Sequence, residues 1–535
     1  MGSTFINGRI FTGNPQNPWA QSLSVDEGVI TSLDGSPRPG DTIIDARGRL
    51  ILPSFGDGHA HPLFGGYEIL GPAINGTATM AELLASVTEF ADANPTLPWI
   101  VGGSYESWMV PGGDFDARWL DDVVPDRPVV LRANDYHTVW CNTAALNAAG
   151  ITSETPDPEL GWIVRRPDGS PMGTLREWDA VDLVMEKAPE RSLEEKIQAL
   201  ELASAQFART GITWVQDAWI DPGMAEAYIA SAQQGKLSIR YNLGLRAEPR
   251  HWREQLDWFV ATRASVAGID HLTCNTIKFF ADGVIEGHTA SVREGYTDDP
   301  HNHGMPCWDW DELAACVTAI DALGFQPHIH AIGDEGLNES LNAIEAAQKT
   351  KGSATNARPV ITHVQMLDPR DIPRFAALRI IANFEPLWAC NDSMQSQVTA
   401  PHIGHEREMW QYPMKSILDS GAPISMGSDW PVSDQNPLAC MEVAITRLEP
   451  GHPDGAVWNP RERLSVLEAV TAYTHGSAYQ AFGESVWGTL EIGKAADLIL
   501  LSDNIFDIAP TDIHTVFVDA TWCDGLPIFS RNGAV

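Results

Sequence analysis

The chain has no CxxC pair, and its seven cysteines, at 141, 274, 307, 316, 390, 440 and 523, are scattered and odd in number. That removes a cysteine-built metal cluster and a disulfide framework, and leaves reduced, mostly buried thiols. No apolar run reaches the length of a membrane span. The opening stretch, MGSTFINGRI, lacks the basic-then-apolar pattern of an export signal, so a cytoplasmic enzyme is expected. Basic residues are scarce. There are 35 Lys and Arg against 71 Asp and Glu, a formal charge of −36. Such a surface repels phosphate polymers, which excludes nucleic acid as a partner, and a strongly anionic substrate would need a local cation or metal to reverse the field. Internal repeats and low-complexity tracts are also missing.

What is present is a long chain with a patterned middle. At 535 residues it exceeds one ordinary core and suits two or three domains, or one large α/β barrel with an appendage. The first fifty residues read as short strands: TFINGRIFTG carries an Asn-Gly hairpin signal at Asn7 and Gly8, and VDEGVITSLDG repeats the pattern. GTLEIGKAADLILLS and TVFVDATWCDGLPIFS, near the other end, look alike. The two ends are therefore expected to form one small β domain from residues 1–50 and 484–535. Between them, over 51–483, strand-like segments (RLILPSF, PVVLR, GITWVQD, NTIKFFA, FQPHIHA, PVITHVQ, RIIANFE, PISMGSD) alternate with helix-like ones such as DELAACVTAIDALG. Alternation of this kind favours parallel strands with helical crossovers, and about eight of them close a (β/α)₈ barrel. Residues 62–200 or so are too many for one βα connection and predict an insertion. Its Gly- and aromatic-rich WIVGGSYESWMVPGGDFD suits a lid or pocket wall.

His59 and His61, in FGDGHAHP, share one face of a strand because strand side chains alternate. They lie at the strand's end, where barrel active sites are built. Alone the pair says little. Other groups with ligand chemistry sit near the ends of later strand candidates: Lys278 in TIKFFADG, His328 and His330 in PHIHAIGD, His363 in VITHVQM and Asp429 in ISMGSDWP. A lysine inside an apolar strand is unusual, since an unpaired buried ammonium is costly. His301 and His303 also form a His-x-His, but in a polar loop, and read as a surface pair.

Taken together, LPSFGDGHAHP, IKFFADGVIEGHTA, HIHAIGDEG, VITHVQ, GSDWPV and GTLEIGKAADLILL resemble the amidohydrolase superfamily, and within it the amidohydrolase-3 branch that includes N-substituted formamide deformylases. The resemblance implies an α/β fold, a TIM-like barrel with a composite β-sandwich. It implies a metal-dependent hydrolase that cleaves the C–N bond of a small amide-type molecule with metal-activated water. Two divalent metal ions are implied, zinc being the expected ion. His59 and His61 would hold the first, His330 and His363 the second, Lys278 would bridge them as a carbamate, and Asp429 would contact the first metal and carry the proton. A lysine ammonium has no lone pair, so Lys278 can ligate only as the carbamate. His137, Glu177, His288, His328 and Trp388 are the candidate substrate contacts. For each a plainer role stands beside it: His137 ties down the insertion, Glu177 is a solvated helix-start carboxylate, His328 packs behind the ligands, and Trp388 is core. His288 stands where the branch more often has arginine. Open alternatives are a cyclic amide, carbamate or ester as substrate, and a deaminase-type enzyme with one metal and an unmodified lysine. A non-catalytic scaffold is disfavoured because every ligand is present. The related barrels leave a homodimer open, and no membrane partner is expected.

Overall fold

The computed structural model describes residues 2–134, 136–351 and 356–533. The chain forms two compact units. One runs up to His61, from Ser204 to Trp430 and from Asp434 onward; the other holds Pro62–Ala203 with Pro431–Ser433.

The first unit contains an eight-stranded, all-parallel sheet: β1 (Phe55–Ala60), β2 (Ile212–Ile220), β3 (Arg240–Arg246), β4 (Leu272–Phe280), β5 (Gln326–Ala331), β6 (Val360–His363), β7 (Ile381–Phe384) and β8 (Ile424–Met426). The strands neighbour one another in chain order, as in a TIM-like barrel. The segment after β8 closes the ring on β1. Asp429 N–H donates to the His59 carbonyl at 2.7 Å, and His61 N–H donates to the Trp430 carbonyl at 2.7 Å. Two glycines permit this closure. A Cβ on Gly58 would stand 2.4 Å from Asn383 Nδ2, and one on Gly427 would stand 2.8 Å from the His59 nitrogen.

The barrel floor is polar. Asn242 Nδ2 donates to Gln216 Oε1 (2.6 Å) and Thr276 Oγ1 (2.7 Å), and Thr276 donates to Gln326 (2.9 Å). Across the barrel, Thr362 donates to Asn383, Asn383 to Ser425, and Ser425 to Gln480, whose Nε2 donates to the Gly58 carbonyl at 2.7 Å. Every member of this belt is buried, so each polar atom needs its partner.

The sandwich expected from the two chain ends is present. A four-stranded sheet comes from residues 3–45, and a six-stranded sheet joins early strands to late ones, with Leu50–Pro53 antiparallel to Leu498–Leu501. Phe5, Ile30, Ile51, Leu498 and Trp522 fill the space between. The Asn-Gly signal, however, is not a hairpin. The strands on either side of Asn7 and Gly8 belong to different sheets, and the turn carries the chain from one to the other. Two-residue hairpins lie instead at Glu27 and Gly28, between Leu23–Asp26 and Val29–Leu33, and at Asp524 and Gly525, between Val518–Cys523 and Leu526–Ser530, with all four turn residues at positive φ. RLILPSF is likewise split, its first half in the sandwich and its end opening β1.

The second unit has a five-stranded sheet ordered Trp162–Arg165, Pro171–Arg176, Thr138–Cys141, Val129–Ala133, Ile100–Tyr105, with short helices packed on it. PVVLR therefore lies here and not in the barrel. The barrel strand it displaces from the expected eight is β3, RYNLGLR. Tyr105, Phe115 and Trp140 form part of this unit's core, while Trp108 is exposed. Among the described residues, no helix is long and apolar enough to cross a membrane.

Candidate metal centre

β1, β4, β5 and β6 and the turn after β8 bring together the residues expected at the barrel mouth. His59 is at the centre. Its Nδ1 lies 2.6 Å from His328 Nε2, and its Nε2 lies 3.3 Å from Lys278 Nζ and 3.4 Å from Asp429 Oδ1. His61 Nε2 is 2.9 Å from the same Asp429 oxygen. The His363 ring centroid is 4.9 Å from that of His59 and 4.5 Å from that of His330. All seven side chains are buried. Asp429 and His363 both sit at positive φ, +56° and +71°, so non-glycine residues hold a left-handed backbone at the ends of β6 and β8.

The electrostatics follow from burial. Desolvation lowers the Lys278 amine from the usual lysine range to about 7. Among the described residues this amine forms no ion pair; its neighbours are His59 and the Phe280 ring, 4.5 Å away. Burial, followed by the charge of Lys278, likewise holds His59 and His328 well below the ordinary imidazole value, so their neutral, ligating form is the favoured one.

Hydrogen bonds fix which nitrogen of each ring is available. His363 Nδ1–H donates to Glu385 Oε2 at 2.9 Å, which leaves the lone pair on Nε2. The other Glu385 oxygen lies 3.0 Å from the Thr362 hydroxyl, whose single proton is shared between Glu385 and Asn383. His330 Nε2–H donates to the Gly283 carbonyl at 3.2 Å, so its lone pair is on Nδ1. Asp57 buttresses β1 by accepting from the His59 and Ser428 amides at 3.2 and 3.0 Å and from the Ser428 hydroxyl at 2.5 Å. Asp282 accepts from the amides of Ser291, Ile332 and Gly333 and so sets the loop after β4.

The donor set fits a divalent cation. One ligand atom each from His59, His61 and Asp429 lies within 4.8 Å of the others. Asp429 Oδ1 is buried and has no hydrogen-bond donor in line with it, despite the nearby His61 ring. Two imidazole nitrogens and a carboxylate oxygen converging in this way suit an ion such as zinc, which takes N and O ligands at about 2.0–2.2 Å.

The remaining candidates are placed as follows. The His328 ring stacks on His59 (4.9 Å, 23°), and the Trp388 ring stacks on His363 (5.4 Å, 17°). Trp219 meets the His61 ring at 5.9 Å, and Phe280 meets His330 at 5.2 Å. His137 and Glu177 pair with each other in the second unit, Nδ1 to Oε2 at 2.8 Å, and both are buried. His288 faces Asp298 at 3.1 Å. Sequence reasoning did not single out Glu385 or Asp57. Each follows or precedes a strand-end ligand by two residues or lies at a strand end, but a lone carboxylate there reads as solvated until its burial is known.

A parallel barrel with histidines, a lysine and an aspartate gathered at the C-terminal ends of its strands defines a class, the metal-dependent barrel hydrolases. The sequence model described as Amidohydrolase family matches residues 42–529, and the chain belongs to that family. It is a metal-dependent hydrolase acting on carbon–nitrogen bonds other than peptide bonds. It is 31% identical to Protein LONG AFTER FAR-RED 3 of Arabidopsis thaliana over 98% of this chain and 91% of that one. It is 25% identical to N-substituted formamide deformylase of Arthrobacter pascens over 99% and 98%. The fold matches the crystal structure of an uncharacterized metal-dependent hydrolase from Pyrococcus horikoshii with a TM-score of 0.77, at 21% identity over 95% of this chain and 99% of the other.

Proposed function

We propose that the protein hydrolyses N-acyl amines, with N-substituted formamides carrying an apolar or aromatic substituent as the leading class. The observation that carries this reading is the convergence of His59, His61, Lys278 and Asp429 beneath rings of Trp219, Phe280 and Trp388. The Arthrobacter relative, aligned over almost the whole of both chains, supports formamides within it.

The residues divide the work. His59, His61 and Asp429 would hold one divalent ion and His330 and His363 a second, with Lys278, as its carbamate, a further ligand. When bound, such ions would lower the pKa of water and act as Lewis acids toward the carbonyl oxygen. His328 fixes the orientation of His59 through its 2.6 Å contact, and Glu385 does the same for His363. Asp429 takes the proton from the attacking water and delivers it to the departing nitrogen; a C–O bond forms, the C–N bond breaks, and the products are a carboxylic acid and an amine. Trp388, stacked on His363, would form a flat wall for the substituent. The burial of all seven cysteines, none in a CxxC pair, supports a reducing, cytoplasmic setting.

The experiment is amine release from benzyl- and alkyl-substituted formamides and acetamides by zinc-, manganese- or cobalt-loaded protein. Aryl formamides should lead the panel. Ammonia release from amino-heterocycles, with no amine from any amide, would overturn the reading in favour of a deaminase. One observation favours a one-metal centre: His59, His61 and Asp429 are three mouth residues whose ligand atoms all lie within 4.8 Å of one another. A metal count of one per mouth, with an intact mass showing unmodified Lys278, would select it.

A further inference from the structure

A second group of ligand-type side chains lies on the connections that follow β4 and β7. His288 and Asp298 belong to the connection after β4, and His402 lies on the helix Ala400–Glu408 after β7. His288 Nε2 is 3.1 Å from both Asp298 oxygens, and His402 Nδ1 is 2.7 Å from Asp298 Oδ2. The two imidazole centroids are only 3.9 Å apart, and one ligand atom from each of the three residues lies within 4.8 Å of the others. Donors around a tetrahedral zinc with bonds of about 2.0–2.1 Å are roughly 3.3 Å apart, which is close to this spacing. Two imidazoles with a carboxylate is a ligand set that suits zinc, nickel or copper better than calcium or magnesium.

The geometry is held without help from an ion. Thr297 N–H donates to the His402 carbonyl at 2.7 Å, and Arg407 donates to the carbonyls of Glu294 and Gly295 at 2.8 and 3.0 Å. Gly404, at φ +76°, breaks the helix where Thr297 approaches. Tyr296 packs edge-on against His288 at 4.7 Å. The Asp298 side chain is 42% exposed, so an ion reaches the group without opening the fold. A different cluster, His271 with Cys523 and Asp524, lacks this character because Arg240 already neutralises Asp524.

We propose that His288, Asp298 and His402 form a second divalent-cation site, of zinc type, that clamps the connections after β4 and β7. It is independent of the hydrolytic centre, shares no ligand with it, and replaces an ion-free crossbridge with a coordinated one. Water fills the fourth position.

The test uses the full chain. Protein saturated with zinc and then dialysed should carry one more zinc per chain than the His402→Gln variant, and crystals should show an anomalous zinc peak among the three side chains. Micromolar zinc should raise the melting temperature of wild type more than that of His402→Gln, each measured against its own value in chelator. Should His402→Gln fail to fold, Asp298→Asn takes its place, and the wild-type anomalous map decides in either case. Equal zinc content, with a peak at the barrel mouth and none here, would overturn the clamp. A peak here with none at the mouth would uphold it and sink the hydrolytic reading instead.

Discussion

Lys278 sits in a setting that an ordinary lysine would not tolerate. It is fully buried on β4, it has an imidazole and a phenyl ring for neighbours, and burial lowers its amine to about 7. Replacing it by methionine keeps the volume and removes a buried amine that has no ion-pair partner among the described residues, so Lys278→Met should fold at least as stably as the metal-free wild type. It should nevertheless lose most of the metal from at least one position, as elemental analysis would show. A variant that kept both ions would refute the bridging role. Asp429→Asn should keep its fold and lose roughly 10²–10⁴ in rate, the usual worth of a positioned proton carrier; an active variant would contradict that assignment. Glu385→Gln removes the carboxylate behind His363, and metal affinity should fall about 10- to 100-fold in a chelator competition. That the histidines would gather at the barrel mouth was legible in the sequence, because period-two spacing and strand-end position survive without coordinates. Glu385 and Asp57 were not, since nothing in NFEPLW or FGDGH separates a buried carboxylate that accepts from a ring or an amide from one in water.

The barrel strands owe their shape to a polar belt beneath the site. Such interiors are commonly filled by Val, Ile and Leu; here Gln216, Asn242, Thr276, Gln326, Thr362, Asn383, Ser425 and Gln480 fill much of the floor. This explains why β3 escaped sequence reading. RYNLGLR puts Asn242 inside the belt and Gly244 2.8 Å (to a built Cβ) from the Asp217 carbonyl, so its inward positions read as loop-like. PVVLR, apolar up to Arg132, looked the better barrel strand yet belongs to the second unit, because an apolar run reports burial and not which sheet buries it. The belt also leaves β1 no room for a side chain at Gly58. Gly58→Ala would press on Asn383 and Gln480, break bonds that β7 and β8 share, and cost about 1–3 kcal/mol. Thermal unfolding of the metal-free protein would measure it, and an unchanged midpoint would mean that the floor is looser than these distances indicate.

At the scale of the first unit, the sandwich and the barrel are joined by charge across Arg240, His271, Asp497 and Asp524. The sandwich strands were legible from both chain ends, but this joint was not, because its members are separated by more than 250 residues. His271 is its titratable element. Its Nδ1 faces the Leu237 carbonyl at 3.2 Å and its Nε2 faces Asp524 at 3.0 Å, and only the imidazolium can donate to both. The hydrogen bond to Asp524 raises the His271 pKa above the ordinary histidine value, outweighing the opposing effect of burial. A raised folded-state value means that the folded chain holds the proton more tightly than the unfolded one. The stabilisation is therefore complete below the unfolded pKa of about 6.5 and fades as pH rises through the folded value. With the Asp524 side chain 39% exposed, screening keeps the effect below ~1 kcal/mol. His271→Gln should thus lower the denaturant midpoint more at pH 5.5 than at pH 8.5, measured in chelator so that metal binding does not contribute. Equal losses at the two pH values would show that the sandwich is held to the barrel by packing and by Arg240 alone, with no titratable component.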